Sequence, residues 1–156
     1  MFKAPKNLKV FNGKEIEIKE EESFIIPSYV TKLNDDKLFS WSNFKSISIE
    51  TTSLKELPKG CLSYCERLKE IKLSFGITKL GDYCFDFCSK LSKITIPSSV
   101  VEIGYNCFYD CKNIKSIELP STIKKFGESC FLWSGIKQGE YPNIPEDSWF
   151  DPWEMF

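Results

Sequence analysis

The chain is predicted to fold as an α/β solenoid, with a parallel sheet on one face and short helical turns on the other. Three observations lead there. A motif recurs at a step of 23 residues: Cys61-Leu62-Ser63-Tyr64-Cys65, Cys84-Phe85-Asp86-Phe87-Cys88, Cys107-Phe108-Tyr109-Asp110-Cys111, and Cys130-Phe131-Leu132-Trp133-Ser134. A fixed period of this size marks units that stack on one another. Apolar columns keep the same step, as in Leu54, Ile77, Val100, Ile123 and in Leu57, Leu80, Ile103, Phe126. Each unit also holds a period-two apolar pair, such as Ile71/Leu73 or Ile94/Ile96. That alternation reads as a short strand with one buried face.

The elements follow in chain order. Leu8–Phe11 and Lys14–Ile18 alternate around Asn12-Gly13, the strongest short hairpin signal. Residues 1–23 are therefore read as an N-terminal cap, because the end coil of a stack needs a polar outer cover. Phe24-Ile25-Ile26-Pro27-Ser28 matches Ile94-Thr95-Ile96-Pro97-Ser98, so a partial repeat opens the array. Full repeats span 29–52, 53–75, 76–98, 99–121 and 122–143, and the repeat region is 24–143. In each, the apolar pair lays one rung of a parallel sheet, about 4.8 Å from the next. Pro97, Pro120 and Pro142 end rungs, because proline cannot donate to the ladder. Gly81, Gly104 and Gly127 are expected at sharp turns where φ is positive. Cys84, Phe85 and Cys88 at i, i+1 and i+4 suit one turn of helix facing the core. Residues 144–156 break the period and form a C-terminal cap or tail.

The pattern I-x-I-P-x-x-V-x-x-I-G-x-x-C-F-x-x-C-x-x-L-x-x-I resembles the BspA-like (Treponema pallidum-type) leucine-rich repeat family over residues 24–142. Where this chain has Cys61, Cys84, Cys107 and Cys130, that family often has alanine, another small residue. The resemblance implies a right-handed leucine-rich-repeat solenoid used for binding, with no catalytic motif to carry over. It also implies a link to surface attachment in bacterial and protist relatives.

Composition narrows the function classes. The net charge is −1, and Arg67 is the only arginine, so bidentate recognition of phosphates or bases is not expected. The chain contains no histidine, which removes Ser-His-Asp and Cys-His nucleophile arrangements. The glycines are spaced by the repeat and form no phosphate loop, and Glu21-Glu22 and Asp35-Asp36 are adjacent rather than facing. No enzyme activity and no cofactor are expected. Seven cysteines fill the two Cys columns. A zinc site needs convergent ligands, and a disulfide needs a dihedral that parallel side chains meet poorly. A ladder of small buried thiols is the reading adopted. There is no apolar leader, no membrane-length apolar run and no Asn-x-Ser/Thr sequon. A cytoplasmic location is expected, the alternative being the cell surface by an export route without a signal peptide.

The expected function is a non-catalytic protein–protein recognition module, adhesion-type in the family sense. Its partner is another protein, with no nucleic acid and no membrane insertion, and self-association through the end caps or tail is a further option. Three surfaces supply candidate contact residues. The outward strand positions give Glu70, Lys72, Lys93, Thr95 and Glu118, alongside Ser46/Ser48, Ser116 and Gln138/Glu140. The turn side gives Tyr64, Phe87 and Trp133 in one column, flanked by Tyr83, Tyr105 and Tyr109; these either contact a partner or pack between turns. The acidic tail gives Trp149, Trp153 and Phe156. These fold over the last coil, or Asp151-Pro152-Trp153 and Trp153-x-x-Phe156 act as DPW- and WxxF-like docking motifs for a trafficking partner.

Overall fold

The structure is a computed structural model that describes residues 10–11, 14–15, 23–33 and 36–150. Strands β1 (Val10–Phe11) and β2 (Lys14–Glu15) pair antiparallel, Val10 opposite Glu15 and Phe11 opposite Lys14. The rest of the segment read as an N-terminal cap lies outside the described residues. Strands β3 (Ser23–Ile26), β4 (Ser46–Ile49), β6 (Glu70–Lys72) and β8 (Lys93–Thr95) form one parallel sheet in that order. Their register joins Ile47 to Ile71 and Ile71 to Ile94, so apolar side chains from successive rungs line up on the inner face. A second parallel sheet holds β5 (Glu56–Leu57), β7 (Lys79–Leu80), β9 (Glu102–Ile103) and β10 (Lys125–Phe126). These two-residue strands are too short to show a period, and the sequence marks them only as the apolar column Leu57, Leu80, Ile103, Phe126.

The third side of each coil departs from expectation. Where one helical turn was predicted, the chain makes successive β-turns. In the third repeat, the Cys84, Asp86 and Cys88 N–H groups donate to the carbonyls of Gly81, Tyr83 and Phe85, three residues back. The alternate N–H groups of Tyr83, Phe85 and Phe87 leave the coil and donate to Tyr105, Cys107 and Tyr109 of the next. A helix spends every N–H within the segment, so a side that must also bond to its neighbour coil cannot be helical. The turns need positive φ at two positions per coil. Tyr83 (φ 57) and Phe87 (φ 56) hold them in this repeat, Asn106 and Asp110 in the next, and Ser129 and Trp133 after that. Non-glycine residues pay about 1–2 kcal/mol each in this region.

The repeat glycines serve a different purpose from the one expected. Positive φ occurs among the described glycines only at Gly60. At Gly104 a Cβ would lie 2.6 Å from the Asp82 backbone nitrogen of the preceding coil. The column is glycine because the coils approach too closely there for any side chain.

The last two expected rungs do not form. Gln138–Glu140 is a 3-10 helix, and Ser116–Leu119 is not part of a sheet. Residues 137–140 read Lys-Gln-Gly-Glu, without the apolar pair that would anchor a strand. The Ile117 N–H instead donates to the Tyr141 hydroxyl at 2.9 Å.

One core runs the length of the stack, from Phe24 to Trp149. Phe85, Phe108 and Phe131 stack face to face at 5.2 and 5.5 Å between centroids, with interplanar angles of 5° and 1°. All seven cysteines are buried and free. The second Cys column has a defined bonding role: the thiols of Cys65, Cys88 and Cys111 donate to the carbonyls of Phe39, Leu62 and Phe85, each at 3.1 Å. The first column supplies only a small apolar side chain. Replacing Phe108 by alanine is expected to cost about 3–5 kcal/mol in urea unfolding, and Cys107→Ala about 1 kcal/mol.

Candidate functional site

The outward face of the first sheet is built from two rows. The register places Ser23, Ser46, Glu70 and Lys93 along one, and Ile25, Ser48, Lys72 and Thr95 along the other. Glu70, Lys72, Lys93 and Thr95 are all exposed, as the alternation predicts. Glu118 is exposed beyond β8, on the segment that does not join the sheet. Gln138 and Glu140 lie in the 3-10 helix and contribute nothing to this face. Among the described residues, none of Glu70, Lys72, Lys93 and Glu118 forms an ion pair. A groove of about 550 Å³ runs along this surface, with Leu73, Ile94 and Pro97 in its lining. Phe75, at its edge, is 74% exposed.

Phe75 was not among the residues singled out from the sequence, although a signal was there. Its column reads Ser28, Thr52, Phe75, Ser98, Ser121, and every member is exposed. Only this coil replaces a small hydroxyl with an aromatic ring.

The turn side brings the predicted aromatics together, with Trp41 as one addition. Trp41 stacks on Tyr64 at 4.3 Å and 6°, and Tyr64 on Phe87 at 4.9 Å and 7°. Phe87 meets Tyr109 at 5.4 Å, and Tyr109 meets Trp133 at 5.0 Å. In the fourth repeat the column position is Asp110, so the neighbouring Tyr109 supplies the ring. Stacked aromatic pairs contribute about 0.5–1.5 kcal/mol each beyond burial, which offsets much of the cost of holding bulky residues at positive φ. Tyr64, Phe87 and Tyr109 are half-buried in this row; Trp41 and Trp133, at its ends, are exposed. Tyr83 and Tyr105 form a separate edge-to-face pair.

The tail residue Trp149 is only 8% exposed and lies 5.4 Å from the Phe131 ring. It packs over the last ring of the core. Trp153 and Phe156 lie outside the described residues. Carbonyls of Asp147 and Ser148 accept the N–H groups of Ser129 and Phe131, so this segment takes the hydrogen bonds that a further coil would take.

Burial pushes the thiols of Cys61, Cys84, Cys88, Cys107 and Cys111 well above their usual range, and that of Cys130 up to about 12. Thiolate, the reactive form, is therefore suppressed at these six, whereas the hydrogen bond with Cys88, with help from Ser42, lowers the Cys65 thiol, which burial alone keeps from solvent. Among the described residues no three His, Cys, Asp or Glu side chains are placed to hold a metal ion, and no helix is long and apolar enough to cross a membrane. Asp86 is the unusual carboxylate. It stands in the column where the Ser63 hydroxyl donates to the Gly60 carbonyl at 3.0 Å, and an ionised carboxylate has no proton to give. Its Oδ1 is buried without a hydrogen-bond partner. Burial, then the charge of Asp110, raises its pKa from 3.8 to about 7, with Lys37 opposing.

Two outcomes follow for measurement. A thiol reagent should find none of the seven cysteines in the native protein within minutes and all seven in denaturant; one fast native thiol would contradict the buried ladder. The folded chain holds a proton on Asp86 that the unfolded chain has released between about pH 4 and about pH 7. Stability should therefore fall as pH rises through that window and level off above it. Asp86→Ser should remove that part of the pH dependence and raise stability at pH 8 by roughly 1–3 kcal/mol.

The repeat geometry matches known proteins. The family model of the BspA type leucine rich repeat region fits residues 7–137 in six copies, taking in much of the segment read from sequence as a cap. No curated protein sequence matches the chain. Among solved structures, the leucine-rich repeat protein of T. pallidum shares 24% identity, over 70% of this chain and 53% of that one, with a TM-score of 0.64. The pneumococcal vaccine antigen PcpA shares 27% identity, over 76% and 31%, with a TM-score of 0.67. A leucine-rich repeat protein from Bacteroides ovatus shares 24%, over 82% and 41%, with a TM-score of 0.58. The matched part spans about half or less of each of these structures. With the 23-residue coil, its stacked parallel rungs and the repeat model matched across most of the sequence, the chain belongs to the family of BspA-type leucine-rich repeat proteins.

Proposed function

We propose that the chain is a non-catalytic recognition module that binds another protein on the outward face of its first sheet, around Phe75. The observation that carries this reading is the break in an otherwise hydroxyl-bearing exposed column, which leaves one aromatic ring beside a groove of about 550 Å³. Among the described residues Phe75 is the most exposed of the large apolar side chains, and aromatic anchors rimmed by polar groups are the usual centre of an interface. Glu70, Lys72, Lys93 and Glu118 supply that rim with unpaired charge of both signs. The matching partner is a protein segment that offers an apolar side chain to Phe75 and charges in the complementary order.

The right-handed sense of the coil belongs to this reading, as does a reducing, cytoplasmic setting, which the seven free thiols support. The turn-side ladder is the weaker candidate, since three of its five rings are half-buried against one another.

Phe75→Ser restores the residue type of the column and should leave unfolding within about 0.5 kcal/mol of the parent. Binding of a partner captured by the immobilised protein should weaken at least about tenfold, and Lys72→Glu with Lys93→Glu should weaken it as well. Capture unchanged by both sets of substitutions would place the interface elsewhere.

A further inference from the structure

The coil-to-coil hydrogen bonds have a direction, and the last coil leaves one half of them open. On the strand side the later coil donates to the earlier one: Val101 to Thr78, Gly104 to Leu80, Lys124 to Val101, and Gly127 to Ile103. The next pair of acceptors in this series is Lys124 O and Phe126 O, on the outer edge of β10. No described residue donates to either. On the turn side the donors point forward, and those of Ser129 and Phe131 are taken by Asp147 and Ser148. The described part of the C-terminal segment thus closes the turn side and donates to neither strand-side acceptor.

Burial records the same gap. Ile77, Val100, Leu80 and Ile103 are completely buried, whereas Ile123 and Phe126, which continue their columns, are only partly buried. Leu119 is likewise partly buried where Ile96 is buried. These three residues, with Tyr141 and Ile144, line a groove of about 430 Å³ beside the free acceptors. An apolar groove alone names no occupant. Two acceptors in the register that β10 itself reads from β9 do: the Val101 carbonyl accepts from Lys124 and Lys125 and the Ile103 carbonyl from Gly127, so they call for N–H donors two and three residues apart on an extended chain running parallel to β10. The apolar columns add that this chain carries apolar side chains three apart, as Val100 and Ile103 do.

We propose that the edge of β10 is a second docking site, which takes an extended strand from another polypeptide by parallel β-augmentation. The strand hydrogen-bonds Lys124 O and Phe126 O and lays its apolar side chains over Ile123, Phe126 and Leu119. The surface is separate from Phe75, so the two sites fail or hold independently.

The probe is a synthetic peptide with the sequence of residues 98–106, Ser-Ser-Val-Val-Glu-Ile-Gly-Tyr-Asn, which is what β9 offers its own neighbour. It is titrated into the full-length protein and followed by amide NMR shifts. Saturable shifts should centre on Ile123–Gly127. N-methylation of the peptide at the positions of Val101, Glu102 and Gly104, which removes the three donors and keeps the side chains, should weaken binding by roughly tenfold or more. Ile123→Asp in the protein should abolish it, with dispersion of the remaining amides showing that the fold is kept. Phe75→Ser should leave it unchanged. No saturable shift, or shifts indifferent to N-methylation, would overturn the assignment. Binding that appears only after residues 151–156 are removed would show that the chain's own end occupies the edge, and concentration-dependent dimerisation blocked by Ile123→Asp would show a second copy there. Either also overturns a heterologous strand.

Discussion

Everything in this fold depends on one constraint: each backbone amide that faces along the stack must find a partner 22 to 24 residues away. A buried N–H or carbonyl left unpaired costs a significant fraction of a domain's net stability, so the coils have to be commensurate. The strand side and the turn side meet this demand with opposite polarity, Gly104 donating back to Leu80 and Phe85 donating forward to Cys107. The turn side can spare only alternate amides, because Cys84, Asp86 and Cys88 close their own turns. That division excludes a helix and forces residues into positive φ. It also brings the coils close enough at Gly104 that a Cβ has no room.

Side chains are then sorted by the spacing the backbone imposes. A rise of about 5 Å per coil is near the preferred separation of stacked rings, so an aromatic repeated in one column stacks on its own copy. Phe85, Phe108 and Phe131 do so inside the core, and Trp41, Tyr64 and Phe87 outside it. The second Cys column follows from the same geometry. A thiol there is small enough to be buried and still supplies a donor for the Phe39, Leu62 and Phe85 carbonyls. What looks at first like metal or redox chemistry is a set of weak hydrogen bonds that lock the register. Departures from column identity stand out against this regularity, and Asp86 and Phe75 are the two with physical consequences.

Periodicity made the stacked rungs, the core columns and the outward positions Glu70, Lys72, Lys93 and Thr95 legible from sequence, because all depend on which residues recur. Features that depend on backbone conformation were not legible. Tyr83 and Phe87 give no hint that they sit at positive φ, since bulky residues rarely do. The i, i+1, i+4 spacing of Cys84, Phe85 and Cys88 fits both a helical turn and a pair of β-turns. The glycine column was recognised but ascribed to turning rather than to close approach. Two failures were readable: Gln138-Gly139-Glu140 lacks the apolar pair a rung needs, and Phe75 breaks its column. Columns were read for what they conserve, and the candidate site lies in what one coil changes.

The stack also has mechanical character. A load applied between the two ends would strip coils one at a time from an end, because each coil bonds only to its neighbours. Every coil released frees 23 residues, about 75–80 Å of contour length. The parallel bonds would be opened in sequence rather than sheared together, so the molecule would lengthen in even steps at low force. A protein gripped at Phe75 would therefore keep its grip while its ends gave way, because that ring sits in the middle of the array.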